Sequence, residues 1–160
     1  MKATFGAGCF WGVEVFFKEL TGVQDAVCGY MGGELDNPSY PEVKQGNTGH
    51  AEVVEVTFDE SQISYEQLVL AFWKNHDPTT LNKQGIDEGT QYRSAIFFHN
   101  EEQQRIAEAS KAYQQANNPR FASKTIVTEI TAASTFYEAE DYHQSYFEKN
   151  NLPSCHIAFE

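Results

Sequence analysis

Cys9 lies between a strand-like run, Met1 to Phe5, and a segment with helical periodicity, and this setting favours a reactive thiol. Unpaired backbone N–H groups and the helix dipole favour an anion at such a junction, and they lower the pKa of a thiol there. The thiolate is the nucleophile in cysteine chemistry. Free cysteine is also among the most buried residue types. Position alone therefore leaves two interpretations open, a nucleophilic thiolate and a small buried hydrophobe.

Six segments of the sequence resemble, in the same order, those of the A-type methionine sulfoxide reductases, the peptide-methionine (S)-S-oxide reductases. The first, Gly8-Cys9-Phe10-Trp11-Gly12 followed by Glu14, is similar to the active-site signature of that family. The others are Gly29-Tyr30-Met31-Gly32-Gly33, Asn37-Pro38-Ser39-Tyr40, Thr48-Gly49-His50-Ala51-Glu52, Gly89-Thr90-Gln91-Tyr92-Arg93-Ser94 and Ala139-Glu140-Asp141-Tyr142-His143-Gln144. These segments span nearly the whole chain, which a chance match of one short motif would not do.

Reduction of a sulfoxide by a thiol needs a thiolate, an acid, hydrogen-bond donors for the oxygen and an apolar slot for the S-methyl group. The resemblance implies residues for each role. They are Cys9 as nucleophile, Glu52 as acid, Tyr40 and Tyr92 as oxygen-binding phenols, Asp87 as a supporting carboxylate, and Phe10 with Trp11 as the methyl pocket. An acid that donates at neutral pH needs a raised pKa, so we expect Glu52 to be buried beside aromatic rings.

Each of these residues has an ordinary structural interpretation when it is taken alone. Glu52 would be a solvated surface charge, and Tyr40 and Tyr92 would lie at the edge of a core. Asp87, between two glycines, would be a turn residue. The matched order and spacing of the six segments is what favours the catalytic interpretation. We assign no catalytic role to the histidines.

Attack on the sulfoxide would leave Cys9 as a sulfenic acid, which condenses readily with a second thiol. The resemblance implies that Cys155 is the resolving cysteine and that thioredoxin, or a dithiol, reduces the resulting disulfide. Lys44 occupies a place where several relatives carry a cysteine, which argues against a three-cysteine relay. Cys28 lies in a predicted strand, and we expect it to be structural.

The composition limits the other classes of function. The chain has 160 residues with a formal net charge of −12, which argues against nucleic acid and anionic membranes as partners. We expect no signal peptide, no membrane span, no metal site and no cofactor, and a cytoplasmic monomer. Three cysteines cannot form a closed disulfide framework, which fits a reducing compartment.

The predicted elements alternate in the order of a split βαβ unit, so the expected fold class is α/β (α+β), a ferredoxin-like two-layer sandwich with a C-terminal extension. Helices are predicted after the caps Ser64 and Asn100, and a final amphipathic helix over Tyr137–Lys149. Residues 34–49 and the segment ending near Gln91 are predicted as loops. We expect one domain over residues 1–160, in which residues 150–160 form a mobile tail that carries Cys155.

Three other functions compete with this hypothesis. A dinucleotide site would need glycine where Trp11 stands, and the bulk of the indole excludes it. A cysteine hydrolase would use Cys9 with a distant histidine and would not need Cys155. A non-catalytic acidic binding module would leave Cys9 with the alkylation rate of an ordinary thiol. The pH dependence of that rate separates this last alternative from the two functions that need a reactive Cys9, sulfoxide reduction and hydrolysis.

Overall fold

The computed structural model describes residues 1–150, so Cys155 and the predicted tail beyond Asn150 lie outside the described residues. The strands are β1 (Lys2–Ala7), β2 (Val23–Met31), β3 (Ala51–Phe58), β4 (Lys83–Gln84), β5 (Asp87–Glu88), β6 (Ser94–Phe98), β7 (Glu129–Ala132) and β8 (Tyr137–Glu138). The α-helices are α1 (Phe10–Lys18), α2 (Tyr40–Lys44), α3 (Tyr65–Asn75), α4 (Glu101–Asn117) and α5 (Tyr146–Lys149). No helix in this part of the chain is long and apolar enough to cross a membrane.

Four strands form the ferredoxin-like centre of the sheet. Their spatial order is β6-β1-β3-β2, and every neighbouring pair is antiparallel. With α1 between β1 and β2, and α3 between β3 and β6, this is the split βαβ arrangement that the sequence predicts. Strand β7 extends the sheet in parallel beside β6, after the crossover helix α4, and β8 pairs with β2 at the other edge.

One face of the sheet packs against α1 and α3 and forms the main core. Phe5 of β1 stacks on Phe17 of α1, with 5.0 Å between ring centroids, and on Phe72 of α3, at 5.3 Å. Because side chains alternate along a strand, Glu52 shares this helix-covered face with Val54. The acid of the predicted site therefore lies between the sheet and α1.

Local capping explains where the two long helices begin. Ser64 accepts a hydrogen bond from the backbone N–H of Gln67, and the side chain of Gln67 accepts one from the N–H of Ser64. This capping box confirms Ser64 as the predicted cap of α3. Asn100 caps α4 by accepting from the N–H of Gln103 at 2.8 Å.

The predicted helix over Tyr137–Lys149 is wrong. The segment contains the short strand β8, a 3-10 turn over Asp141–His143, and only one turn of α-helix, α5. The amide of Gln144 explains the difference, because it accepts from the N–H of Cys28 and donates to the carbonyl of Cys28. These contacts with β2 hold the segment against the sheet edge and outweigh its helical periodicity.

Three further boundaries differ from the predictions. The polar segment over residues 34–49 includes the short helix α2, with a capping box formed by Ser39 and Glu42. The loop before Gln91 includes the β4–β5 hairpin. The sequence also predicts a strand from Ile126 to Ala132. That strand begins at Glu129 instead, because the N–H groups of Ile126 and Val127 bond to Gln115 and Pro78 and not to β6.

Candidate active site

Cys9 is the N-cap residue of α1, two residues after the end of β1. The preceding Gly8 has a φ of +92°, a conformation that favours glycine, and this turns the chain from the strand into the helix. A Cβ on Gly6 would lie 3.2 Å from the carbonyl oxygen of Arg93 and 3.4 Å from that of Glu52. The end of β1 is thus packed between the start of β3 and the residues before β6, and Cys9 emerges between them, partly exposed.

Glu52 is almost fully buried near the start of β3, where it pairs with Tyr30 of β2. Its Oε1 accepts a hydrogen bond from the backbone N–H of Phe10 at 3.2 Å. Its Oε2 is buried and has no hydrogen-bond partner among the described residues. Burial raises the pKa of Glu52 to about 8, and Asp87 adds to the rise, while the Phe10 N–H opposes it. The carboxyl group is therefore protonated at neutral pH.

Tyr40 begins α2, and Tyr92 ends a 3-10 turn over Thr90–Tyr92 that precedes β6. Burial raises the pKa of both phenols, and the nearby charges of Glu52 and Cys9 raise them further. The pKa of Tyr92 rises to about 12. Both hydroxyl groups therefore keep their protons and can act as hydrogen-bond donors toward the space that Glu52 and Cys9 share.

Asp87 is the first residue of β5, in the hairpin that precedes the Tyr92 turn. Its charge raises the pKa of both Glu52 and Tyr92, so the carboxylate lies within electrostatic range of both groups. A negative group in this position favours the protonated form of Glu52. The position agrees with the supporting role that the resemblance implies, and that role stays a prediction.

Aromatic rings form one wall of the site. The ring of Phe10 is fully buried and lies 6.3 Å from that of Tyr40. Trp11 stacks on Tyr146 of α5 with 3.8 Å between centroids and an angle of 8°. The indole N–H of Trp11 donates to Nδ1 of His143 at 3.0 Å. The His143 ring lies 4.3 Å from that of Tyr40, so the wall is continuous.

His143 holds a neutral ring at this wall. Burial lowers the pKa of its imidazole, although Glu140 opposes the shift. Because Nδ1 accepts from Trp11, the single ring proton is on Nε2, which is buried without a hydrogen-bond partner among the described residues. The sequence predicts no catalytic role for His143, and the structure places its ring against Phe10 and Trp11, the predicted methyl pocket.

Glu140 is a site residue that the sequence reasoning missed. One of its oxygens accepts from the hydroxyl of Tyr30 and the other from the backbone N–H of Tyr40, both at 3.0 Å. It therefore fixes the start of α2, and with it the base of the Tyr40 side chain. Glu140 belongs to one of the six segments that resemble the family, residues 139–144, so the resemblance could have indicated it. A helix was predicted there instead, and a helix gives the wrong directions for the side chains of this segment.

Glu14 of α1 and Cys28 of β2 form a buried pair between the helix and the sheet. Both oxygens of Glu14 accept from the backbone N–H of Ser145, at 2.8 and 2.9 Å, which fastens the start of α5 to α1. Burial raises the pKa of the Cys28 thiol well above its usual range, and Glu14 adds to the rise. A fully buried, protonated thiol is a poor nucleophile, which agrees with a structural role for Cys28.

Two other histidines make structural contacts. His50 accepts from the N–H of Gly33 and bonds through its other ring nitrogen to the carbonyl of Leu35. His76 bonds to the carbonyl of Phe72 and to Ser94.

Arg93 forms an ion pair with Glu129, with 3.3 Å between Nε and Oε1. Within residues 1–150, no group of three or more His, Cys, Asp or Glu side chains has a geometry suited to a metal ion.

Seven of the eight predicted site residues come together in one place, between the start of α1, the start of β3, the start of α2 and the 3-10 turn that ends at Tyr92. They are Cys9, Phe10, Trp11, Tyr40, Glu52, Asp87 and Tyr92. The eighth, Cys155, lies outside the described residues. The arrangement offers a thiol, a protonated acid, two phenol donors and an aromatic wall. The role of each residue stays a prediction.

A family model described as peptide methionine sulfoxide reductase matches residues 1–160. The chain is 55% identical over 158 residues to the peptide methionine sulfoxide reductase MsrA of Acidobacterium capsulatum, covering 98% of this chain and 99% of the relative. It is 56% identical over 156 residues to the MsrA of Methanothermobacter thermautotrophicus, covering 98% and 91%. The crystal structure of Mxr1 from Saccharomyces cerevisiae in reduced form matches with a TM-score of 0.89 at 35% identity, covering 100% of this chain and 92% of Mxr1.

Proposed function

The chain belongs to the peptide methionine sulfoxide reductase family, an oxidoreductase family, and we propose that it reduces methionine-S-sulfoxide, protein-bound and free, with Cys9 as nucleophile. The observation that carries the mechanism is the state of Glu52. Its pKa of about 8 keeps the carboxyl protonated at neutral pH, and Oε1 is occupied by the Phe10 N–H. The proton therefore resides on Oε2, the atom without a protein partner in the described part of the chain.

The first step transfers oxygen from substrate to Cys9. The thiolate attacks the sulfoxide sulfur while Glu52 gives its proton to the sulfoxide oxygen. The attack joins the Cys9 sulfur to the substrate sulfur. The substrate S–O bond and this S–S bond then break as the OH group moves to the Cys9 sulfur, which becomes a sulfenic acid, and methionine leaves with the electron pair of the S–S bond. Glu52 ends the step as a carboxylate and regains a proton before the next turnover. The substrate sulfur is reduced and the Cys9 sulfur is oxidised.

The substrate is held by two kinds of surface. The hydroxyl groups of Tyr40 and Tyr92 donate to the sulfoxide oxygen, and their raised pKa values support this because both phenols stay protonated. The S-methyl group packs against Phe10 and Trp11, which are part of the aromatic wall. Asp87 supports the protonated state of Glu52 by its negative charge.

Thiols complete the cycle. The sulfenic acid of Cys9 condenses with Cys155 to form a disulfide and water, and thioredoxin or a small dithiol reduces that disulfide to two thiols. The family resemblance supports this assignment of Cys155 and of the reductant. Yeast Mxr1 has been solved in complex with Trx2. We also propose that the enzyme is a cytoplasmic monomer that needs no cofactor, which fits its three cysteines and reducing chemistry.

The test is to incubate the protein with each methionine sulfoxide epimer and a dithiol, and to count the products by mass spectrometry. Turnover of the S epimer by wild type and its loss in Cys9→Ser are expected, because a serine hydroxyl is scarcely ionised and attacks sulfur poorly. Cys28→Ser is the matched control and should remain active, since Cys28 is buried away from solvent. Turnover by a folded Cys9→Ser variant at the wild-type rate would contradict the proposed mechanism.

A further inference from the structure

Tyr40 and Tyr92 lie on two segments that no strand pairing joins. Tyr40 begins α2, and Tyr92 ends the 3-10 turn over Thr90–Tyr92. If both phenols donate to one sulfoxide oxygen, the separation of their hydroxyl groups must be set by contacts between these segments. Oxygen binding by two donors is sensitive to small changes in that separation, because a hydrogen bond weakens steeply outside its range of distances and angles.

Two side chains of the turn join it to the end of α2. Nε2 of Gln91 donates to the carbonyl of Lys44 at 3.2 Å, and Oγ1 of Thr90 donates to the carbonyl of Gly46 at 3.3 Å. Helix α2 is only five residues long, so the carbonyl of Lys44 lies about one helical turn from Tyr40. A shift of the α2 end therefore moves Tyr40 as well.

The amide of Gln91 is buried between two glycines. Gly46 follows α2 with a φ of +82°, and Gly89 precedes the turn with a φ of +145°. A Cβ on Gly89 would lie 2.3 Å from Oε1 of Gln91, and one on Gly46 would lie 3.4 Å from it. Only 4% of Gln91 is exposed to solvent. The amide is therefore held by close backbone on both sides as well as by its hydrogen bond to Lys44.

Gln91 also acts directly on the second phenol. It precedes Tyr92 in the chain, and its side-chain amide opposes the rise in the pKa of the Tyr92 hydroxyl. The other end of α2 is fixed separately, because Glu140 accepts from the N–H of Tyr40. Helix α2 is thus held at its start by Glu140 and at its end by Gln91 and Thr90.

We propose that Gln91 is a positioning residue for sulfoxide reduction, which fixes the separation of the Tyr40 and Tyr92 hydroxyls by bonding the turn to the end of α2. This inference rests on the proposed function, since it concerns the residues that bind the sulfoxide oxygen there. Gln91 acts through the two phenols. Its loss should therefore weaken the recognition of the oxygen without changing the nucleophile.

The test compares Gln91→Met with Gln103→Met. Methionine keeps the length of the side chain and removes the amide donor. Gln103 is the matched control because it is equally buried and bonds to backbone groups, the N–H of His99 and the carbonyl of Lys2, in another part of the molecule. Kinetics on each sulfoxide epimer, the alkylation rate of Cys9 and thermal unfolding are measured for both variants and the wild type.

For Gln91→Met we expect kcat/KM for methionine-S-sulfoxide to fall about five- to tenfold, mainly through KM, as for the loss of about one net hydrogen bond. The preference for the S epimer should fall with it, and the alkylation rate of Cys9 should stay at the wild-type value. Gln103→Met should lose thermal stability without a change in KM or epimer preference. Thr90→Val, which removes the second bond to α2, should show the Gln91→Met pattern more weakly, and it carries the test if Gln91→Met does not fold.

The outcomes separate this inference from the function on which it rests. A wild-type protein that reduces neither epimer would contradict the proposed function. An active wild type, together with a Gln91→Met variant that keeps its KM and epimer preference, would overturn the positioning role and leave the function standing. The positioning role would also be overturned if KM rose and the epimer preference fell equally in Gln91→Met and Gln103→Met, because such equal changes would reflect lost stability alone.

Discussion

The backbone N–H of Phe10 donates to Oε1 of Glu52 at 3.2 Å, although the two residues are 42 positions apart. The bond joins the residue after Cys9 to the predicted acid, and it fixes the carboxyl group relative to the start of α1. It also occupies one oxygen, so the proton of the neutral acid is carried by the other. The pKa of Glu52 rises to about 8 despite this bond, because burial has the larger effect.

Glu52→Gln should slow the reduction step strongly and leave substrate binding nearly unchanged. Glutamine keeps the shape of the side chain but has no transferable proton, and general acid catalysis contributes typically about 10²–10⁴-fold. Single-turnover rates with the S epimer measure the effect, with Glu108→Gln on the exposed face of α4 as the control. A loss confined to KM would make Glu52 a binding residue instead.

The same variant should change how stability depends on pH. The pKa of Glu52 is about 8 in the folded protein against an ordinary value of 4.5, so the folded state binds more protons between these two values. The stabilisation from Glu52 is fully present below pH 4.5 and is lost as pH rises toward 8. The free energy of unfolding of wild type should therefore fall over this range relative to that of Glu52→Gln.

Urea unfolding at about pH 5, 6, 7 and 8 measures the free energy of unfolding of wild type and of Glu52→Gln. The difference between the two should change by at most about 1.4 kcal/mol per pH unit, the limit for one titrating group. Glu108→Gln, from an exposed position, should run parallel to wild type. A constant difference between wild type and Glu52→Gln across the range would show that the pKa of Glu52 is not raised on folding.

Much of the fold follows from local sequence signals. The caps Ser64 and Asn100 act over three residues, so the sequence alone places the starts of α3 and α4. The order of strands and helices along the chain predicts the ferredoxin-like fold class, because short connections and split βαβ units allow few topologies. These features depend on neighbours in the chain.

The features that sequence reasoning missed depend on distant partners. Glu140 bonds to Tyr30 and Tyr40, and Gln144 bonds to Cys28, each about a hundred positions away or more. Periodicity over residues 137–149 carries no information about those partners, so it predicted a helix where the structure has a strand, a turn and one helical turn. The site residues themselves were predicted from the family resemblance, and their types alone would not have selected them.

Cys155→Ser should separate the reduction step from recycling. With thioredoxin as the reductant, the variant should convert about one equivalent of substrate per enzyme and then stall as the Cys9 sulfenic acid. A small thiol should restore turnover, because it attacks the sulfenic acid directly. The measurement is product per enzyme by mass spectrometry under each reductant. Thioredoxin-driven turnover at the wild-type rate would show that another thiol resolves the intermediate.

Cys28→Ser is the control for this experiment and should recycle with thioredoxin as wild type does. Cys28 is fully buried, and its thiol donates to the carbonyl of Phe10 at 3.5 Å. Burial raises the pKa of that thiol well above its usual range, so little thiolate is available to attack a sulfenic acid. If Cys155→Ser recycles normally and the double variant with Cys28→Ser does not, then Cys28 is the resolving residue.

The enzyme should reduce only one epimer of methionine sulfoxide. A sulfoxide sulfur carries an oxygen, a methyl group, the side-chain methylene and a lone pair, so it is chiral. If Tyr40 and Tyr92 hold the oxygen while Phe10 and Trp11 hold the methyl group, Cys9 has a productive approach to one epimer. The family resemblance implies that this is the S epimer. The measurement is the rate on methionine-S-sulfoxide and on methionine-R-sulfoxide, each alone, under the same dithiol.

The opposite epimer must exchange its oxygen and methyl group in this pocket. Its oxygen would then face the rings of Phe10 and Trp11, and its methyl group would face Glu52 and the two phenols, leaving one buried and two partly buried donors unpaired. An unpaired buried group costs about 1–3 kcal/mol, and the partly buried phenols add to the cost of Glu52, so the R epimer should be strongly disfavoured. Tyr40→Phe and Tyr92→Phe should each reduce the preference, whereas Tyr113→Phe, on the exposed side of α4, should not. Comparable rates on both epimers with wild type would contradict the assignment of the pocket, even if Cys9 proved essential.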